Sequence, residues 1–327
     1  MRAIPLRMTI QRYFETLRFE RSLVNYDVLA LDDRAFENTS GLKFHYAYWP
    51  EAEKTLSTEV FRVRPVGDPD YSLRLFLAIA EFHRFLGTQD STSLDRFVEQ
   101  ARTVLGGTTA MEGCRVIPMF FRVKSYGDHN VPWISCHSQG RALSVFCRAH
   151  QVTGEEQFLD AAYGILRSFT IDVAAGGIRD REKTGHLFFE EYPFPGKVRH
   201  VLNGFMTALF GIHEFGRATG ERLARDLFDE GAATLSNEVL ETFDAGYTTR
   251  YDQVTARPGP ASRFYTKVHA RQLAILHRLT GKPHFLSRAQ RWQRYTINPT
   301  DRFLLGINCF AYRLTNAPRY AREACKQ

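Results

Sequence analysis

Four times in this chain a glycine closes an apolar helical run that carries a basic residue near its end. The sites are Arg84-Phe85-Leu86-Gly87, Arg148-Ala149-His150-Gln151-Val152-Thr153-Gly154, Arg217-Ala218-Thr219-Gly220 and Arg278-Leu279-Thr280-Gly281. The glycines stand 61 to 67 residues apart, longer than most solenoid repeats run. A glycine there ends a helix because it adopts the left-handed conformation without a Cβ clash, and a nearby cation suits the helix dipole. A second apolar helix follows each turn, as the spacing of Phe158, Ala162, Ile165 and Phe169 illustrates. The pattern therefore predicts a mainly all-α chain of about four helical hairpins over residues 70–327. Such hairpins can form a bundle, a solenoid or a ring, the α/α toroid. Their internal turns are tight, whereas the links between them (107–136, 171–202 and 240–263) are long, and long links in a compact domain usually carry function. In an up-down arrangement all of these links fall at one mouth. Residues 1–69 read as an irregular or short-stranded arm packed on the main domain, with Tyr46, Tyr48 and Trp49 as an alternative substrate-contacting lid.

The net charge of +7 fits either an ordinary basic surface or a polyanionic partner, and no basic tail or RNA-type aromatic motif favours nucleic acid. Five cysteines, an odd number without a Cys-x-x-Cys pair, argue against a zinc site or a disulfide framework and fit a reducing compartment. Arg7, Gln11 and Arg12 interrupt the N-terminal apolar run, and no stretch approaches the ~20 apolar residues a membrane span needs. A cytoplasmic protein is expected.

The long links concentrate ionisable and aromatic groups in four clusters. One is Pro132 to Ala142, with Trp133 as a packing plug or sugar platform and Gln139 and Arg141 as polar groups near a helix start. The second, Glu190 to Phe205, cannot be regular because Pro193, Pro195 and Gly196 interrupt it, and it feeds the apolar helix marked by Phe205, Leu209, Ile212 and Phe215. It offers Glu190, Glu191, Tyr192 and Asn203, together with Lys197, Arg199 and His200 as cations for an anionic chain. The third is Tyr247 to Asp252, and the fourth is Arg263 to Gln272, where Tyr265 and His269 are four apart and share a helix face. Gly140 and Gly204 read as places of close helix contact, since neither belongs to a phosphate-binding pattern. No metal-ligand motif is present in the sequence.

Adjacent glutamates cannot flank a sugar ring as an acid/base pair in the way a glycoside hydrolase requires. Tyrosines with an ordinary pKa of about 10 suit removal or return of a weakly acidic carbon-bound proton. The C5 proton of a uronic acid lies α to a carboxylate, and removing it requires that charge to be neutralised by arginine, lysine, a protonated glutamate or amide donors.

The motifs Trp133-Ile134-Ser135, Gln139-Gly140-x-Ala142, Arg148-Ala149, Glu190-Glu191-Tyr192-Pro193, Val201-Leu202-Asn203-Gly204-Phe205-Met206, Tyr251-Asp252 and Tyr265-x-x-x-His269-x-x-Gln272-Leu273 stand in this order over roughly residues 130 to 296. In identity and spacing they resemble the C-terminal catalytic domain of D-glucuronyl C5-epimerases, which convert glucuronate to iduronate within heparosan-type chains. The resemblance implies an incomplete α/α barrel, no nucleotide cofactor, an acidic polysaccharide substrate and a homodimer. By motif, it implies catalytic roles for Glu191, Tyr192, Tyr251 and Tyr265, and supporting contacts from Asn203, His269 and Gln139. The chain departs from the family where Gln253-Val254 follows Tyr251-Asp252 in place of Leu-Arg, leaving Arg250 or Arg257 to stand in, and where Thr266 replaces a common histidine. Residues before Asp70 are too few for the upstream β-rich regions of animal members, so the departures bear on the identity of the glycan. A uronate-directed lyase or hydrolase and a non-catalytic acidic-glycan module are the competing readings.

Overall fold

Three of the four repeat glycines end helices as their positions demand. Gly154, Gly220 and Gly281 take φ values of 71°, 72° and 70°, and each donates its N–H to the carbonyl four residues back. The first repeat differs. Gly87 lies inside a helix that runs on to Thr88, and Gln89 takes the left-handed turn at φ 58° while its side-chain amide covers the carbonyls of Phe85 and Leu86. A side chain that can cap the helix itself replaces the glycine.

The computed structural model describes residues 27–37, 41–46, 70–123, 130–181, 185–196, 198–253 and 260–308. The hairpins are α1 (Tyr71–Thr88) with α2 (Ser91–Gly106), α3 (Cys136–Thr153) with α4 (Glu156–Ser168), α5 (Leu202–Thr219) with α6 (Arg222–Thr234), and α8 (Arg263–Thr280) with α9 (Pro283–Ile297). A short helix, α7 (Asn237–Thr242), lies between the third and fourth. The inner helices pack side by side, α1 on α3, α3 on α5 and α5 on α8, and each carries its own partner outside it. This is the incomplete α/α barrel. Two small antiparallel hairpins, β1 (Thr109–Met111) with β2 (Cys114–Val116) and β3 (Arg179–Arg181) with β4 (Leu187–Phe189), stiffen two of the links.

The inner pair α3 and α5 cross with their backbones in contact. A Cβ on Gly211 would lie 1.9 Å from the carbonyl oxygen of Gly140, and one on Gly140 would lie 2.6 Å from the Cα of Ala208. Further along the same two helices, Arg148 donates from Nη1 and Nη2 to the two oxygens of Glu214 at 2.7 and 2.8 Å, with both side chains fully buried. Arg148 also donates to the carbonyls of Ser144 and Lys43. The second of these bonds ties residues 41–46 to the barrel, helped by the Gln151 amide clamped on the backbone of Leu42. Tyr46 is buried here, its ring against Phe210 and its hydroxyl 3.0 Å from His213 Nδ1, so it plugs the core rather than serving as a lid; Tyr48 and Trp49 lie outside the described residues. Cys114, Cys136 and Cys147 are free thiols, and among the described residues no helix is long and apolar enough to cross a membrane.

Burial alone would raise the Glu214 carboxyl, but the Arg148 guanidinium overrides it and holds the group at about 2. Because the folded value lies below the ordinary 4.5, this contribution to stability is present above pH 4.5 and is lost as the pH falls toward 2. Glu214→Gln strands a buried guanidinium and is expected to destabilise the fold by about 3–5 kcal/mol in urea denaturation at neutral pH. The deficit relative to the parent should shrink as the pH is lowered.

Candidate active site

All three residues of β4 are buried, and the chain leaves the core directly into Glu190 and Glu191. The backbone of Glu190 is fixed on both sides: its N–H donates to the Ile178 carbonyl at 2.7 Å, and its carbonyl accepts from Cys136 N–H, at the start of α3, at 3.0 Å. From this anchored point the two glutamates enter different surroundings.

Glu191 lies against the first turn of α5. A Cβ at Gly204 would stand 2.3 Å from Glu191 Oε2, so the absence of a side chain at 204 is what admits the carboxyl. That oxygen is sealed from solvent and has no hydrogen-bond partner. Burial pushes the Glu191 carboxyl up to about 7, opposed by hydrogen bonds from Tyr192 and Tyr251 and by the charge of Arg141. Tyr251 is placed by its own carbonyl, which accepts from Leu202 N–H at the head of α5. Its ring meets that of Tyr265 edge-on, with centroids 4.9 Å apart at 73°. Tyr265 sits in the first turn of α8, where the capping Ser262 Oγ accepts its N–H at 3.3 Å. Burial and the nearby Glu191 charge raise both phenols, which therefore stay protonated.

One turn further along α8, His269 is fully buried and pushed down to about 3 by desolvation, so its imidazole is neutral. Its Nδ1 is 2.8 Å from the Thr249 hydroxyl, while Nε2 is buried without a partner. Asn203, beside Gly204, has its Oδ1 in the same condition, while its backbone carbonyl accepts from Gln272 and Thr207. Buried polar atoms are nearly always hydrogen-bonded. Bare atoms on Glu191, Asn203 and His269, beside a tyrosine pair, mark this place as a candidate site for a polar ligand. Trp133 stands beside this group: its Nε1 donates to the Phe121 carbonyl at 2.8 Å, and its ring is 5.8 Å from that of Tyr192.

The structure thus gathers Glu191, Tyr192, Tyr251, Tyr265, Asn203, His269 and Trp133. Arg141 bears on the group through its charge, with its guanidinium 5.0 Å from the Phe76 ring centroid. Four other expected site residues are spent elsewhere. Gln139 is fully buried and uses both ends of its amide on the backbone of Ile117, at 3.1 and 3.0 Å, so it braces a link instead of meeting substrate. Arg250 donates to the carbonyls of Thr242 and Asp244 and stiffens its own loop. Arg199 is paired with Asp252 at 3.0 Å. His200 turns to Asp180, Glu190 and Gln253. Lys197 and Arg257 lie outside the described residues. Thr249, the partner of His269, went unnoticed in the sequence because nothing in a threonine pair announces a histidine twenty residues away.

A carboxyl beside two protonated phenols can exchange a proton with a bound carbon acid. Residues 112–294 match the family model described as D-glucuronyl C5-epimerase C-terminus, more than half of the chain. An uncharacterized protein of Methanocaldococcus jannaschii is 30% identical over 164 residues, which are 49% of this chain and 52% of that protein. The chain therefore spans about half the length of this relative. Among solved structures, cellobiose 2-epimerase from Bacillus thermoamylovorans aligns with a TM-score of 0.51 at 12% identity, over 69% of this chain and 59% of that one. An unsaturated glucuronyl hydrolase specific for heparin aligns with a TM-score of 0.51 at 13% identity, over 75% and 65%. At such identities the likeness is one of fold.

Gly204→Ala should force the Glu191 carboxyl off the α5 terminus, because the new Cβ would stand 2.3 Å from Oε2 and 2.9 Å from the Cβ of Glu191. The expected outcome is a folded protein weakened by about 1–3 kcal/mol in urea denaturation. Unchanged stability together with an unmoved Glu191 in a crystal structure of the variant would refute this placement.

Proposed function

Because the chain belongs to the family of D-glucuronyl C5-epimerase C-terminal domains, we propose that it epimerises glucuronate residues at C5 within an acidic polysaccharide, heparosan or another glucuronate-containing glycan. The observation that carries this reading is the enclosure of one buried carboxyl, Glu191, by the Tyr192 and Tyr251 hydroxyls, with Tyr265 against Tyr251.

Inversion at C5 needs one group to remove a proton and another to return one on the opposite face. Glu191 is the carboxylate of the pocket and takes the C5 proton. As the C–H bond breaks, its electron pair moves into the adjoining C6 carboxylate of the sugar, which becomes an ene-diolate. Charge growing on those oxygens is met by Arg141 and by His269 with its hydrogen on Nε2, fixed in place before the substrate arrives, while Asn203 Oδ1 accepts from a sugar hydroxyl. A phenol held protonated by burial, Tyr265 or Tyr251, then delivers its proton to C5 from the other side, and iduronate results. The phenolate then regains a proton from solvent and the Glu191 carboxyl releases to solvent the one it took, so each inversion leaves one solvent-derived hydrogen at C5. Trp133 and Tyr192 provide the apolar wall on which a sugar face packs. Hydrophobic enclosure also keeps water away from the carbanion-like state.

Incubation with heparosan in D2O is expected to place deuterium at C5 and to generate iduronate, read by NMR and disaccharide analysis. Glu191→Gln and Tyr265→Phe should each lower the rate by about 10²–10⁴-fold, the range of general acid–base catalysis, with little change in melting temperature. Ultraviolet-absorbing unsaturated chain ends would indicate a lyase instead. Absence of isotope uptake on every glucuronate glycan tried would sink the proposal.

A further inference from the structure

Ten residues apart in sequence, Asp180 on β3, Glu190 after β4 and His200 before α5 bring one ligand atom each to within 4.8 Å of the others. His200 Nε2 is 2.8 Å from Asp180 Oδ2 and 3.4 Å from Glu190 Oε1. Glu190 is fully buried, and its carboxylate accepts the backbone N–H groups of Arg199 and His200. The Asp180 side chain is about a quarter exposed, which leaves the cluster an opening to solvent.

Hydrogen-bond polarity outside the cluster decides which nitrogen of His200 carries the hydrogen in the neutral ring. The Thr242 hydroxyl donates to the Val239 carbonyl at 2.7 Å, so its oxygen accepts the Gln253 amide N–H at 2.6 Å. That orients Gln253 Oε1 toward His200 Nδ1 at 3.1 Å, and an amide oxygen can only accept. Nδ1 therefore carries the hydrogen, and in the neutral ring Nε2 presents a lone pair to two carboxylate oxygens. In that form three electron-rich atoms converge on one point, with no lysine or arginine among the described residues reaching between them. Among the described residues the neighbouring arginines are paired elsewhere: Arg179 with Asp172, Arg181 with Glu230 and Arg199 with Asp252.

We propose that Asp180, Glu190 and His200 bind a divalent transition-metal ion through Asp180 Oδ2, Glu190 Oε1 and His200 Nε2, in a site separate from the tyrosine pocket. Carboxylate oxygens and imidazole nitrogens bind such ions at about 2.0–2.2 Å, which sets ligand atoms about 3 Å apart. The observed 2.8 and 3.4 Å bracket that separation. One imidazole with two carboxylates suits borderline ions such as Mn²⁺ and Zn²⁺, with water completing the coordination on the open side of Asp180. Gln253 acts on the ion indirectly: by accepting from Nδ1–H it fixes the tautomer and the orientation of the ligating ring. The ion would pin the side chain of Glu190 as the Ile178 and Cys136 bonds pin its backbone, and so steady the turn that carries Glu191.

The test uses the full chain, stripped with a chelator and titrated with Mn²⁺ and with Zn²⁺ by calorimetry, alongside elemental analysis after dialysis and thermal unfolding. A single ion per chain and a raised melting temperature are expected. Asp180→Asn and His200→Ala should abolish binding while circular dichroism confirms helicity. Gln253→Leu, which removes no ligand, should weaken affinity by about 10–100-fold. The inference does not rest on the epimerase reading: Glu191→Gln should retain the ion whatever it does to the chemistry. No stoichiometric binding of either metal to the parent chain, or undiminished binding to His200→Ala, overturns the proposal.

Discussion

The contact on which the rest of the structure depends is the crossing of α3 and α5 at Gly140 and Gly211, where the helix backbones touch. A side chain at either position would push the two helices apart, and the loops that enter them would separate with them. With the crossing in place, Cys136 at the head of α3 can reach the carbonyl of Glu190, and Leu202 at the head of α5 can reach that of Tyr251. Both bonds join an inner helix to a link carrying a catalytic candidate. The Arg148–Glu214 pair secures the same two helices further along, in a place where burial makes an unpaired charge intolerable. Positioning of the polar pocket is thus a consequence of helix packing, reached through backbone hydrogen bonds.

That dependence explains what could be read from the sequence. The hairpin repeat was legible because a C-terminal glycine and an apolar spacing are local signals, and three of the four glycines act as such signals require. Gly87 misled because a glutamine two residues later satisfies the helix end by its own side chain. Within the pocket, Glu191, Tyr192, Tyr251 and Tyr265 stood in recognisable motifs. Gln139, Arg250, Arg199 and His200 stood in the same motifs or beside them, and their polar groups are nonetheless turned to other partners. A side chain's type is written in the sequence; the acceptor it finds lies on another link and is not. Gly204 carried a signal of close approach, but what approaches is a carboxyl and not a helix.

The paired glutamates show how one physical cause is resolved in two ways. Burial pushes both Glu190 and Glu191 up to about 7. Glu190 is then relieved by two backbone N–H groups and has His200 packed against it, a set with no room for a sugar. Glu191 receives phenol hydroxyls and keeps one oxygen bare. Satisfaction makes the first a fixture, and incompleteness makes the second available for chemistry.

The two fates are coupled by the peptide bond between them. A carboxyl that must exchange a proton with carbon needs its position held within a fraction of an ångström, yet every hydrogen bond that would hold it directly also lowers its basicity. Anchoring the preceding residue avoids that conflict: the Ile178 and Cys136 bonds and the Glu190 side chain fix the backbone, and the Glu191 carboxyl is left short of partners. The empty side of Gly204 completes the arrangement by letting the carboxyl rest against the positive end of α5 without a covalent neighbour in the way. Orientation is supplied from behind, and Oε2 keeps no hydrogen bond that would lower its basicity.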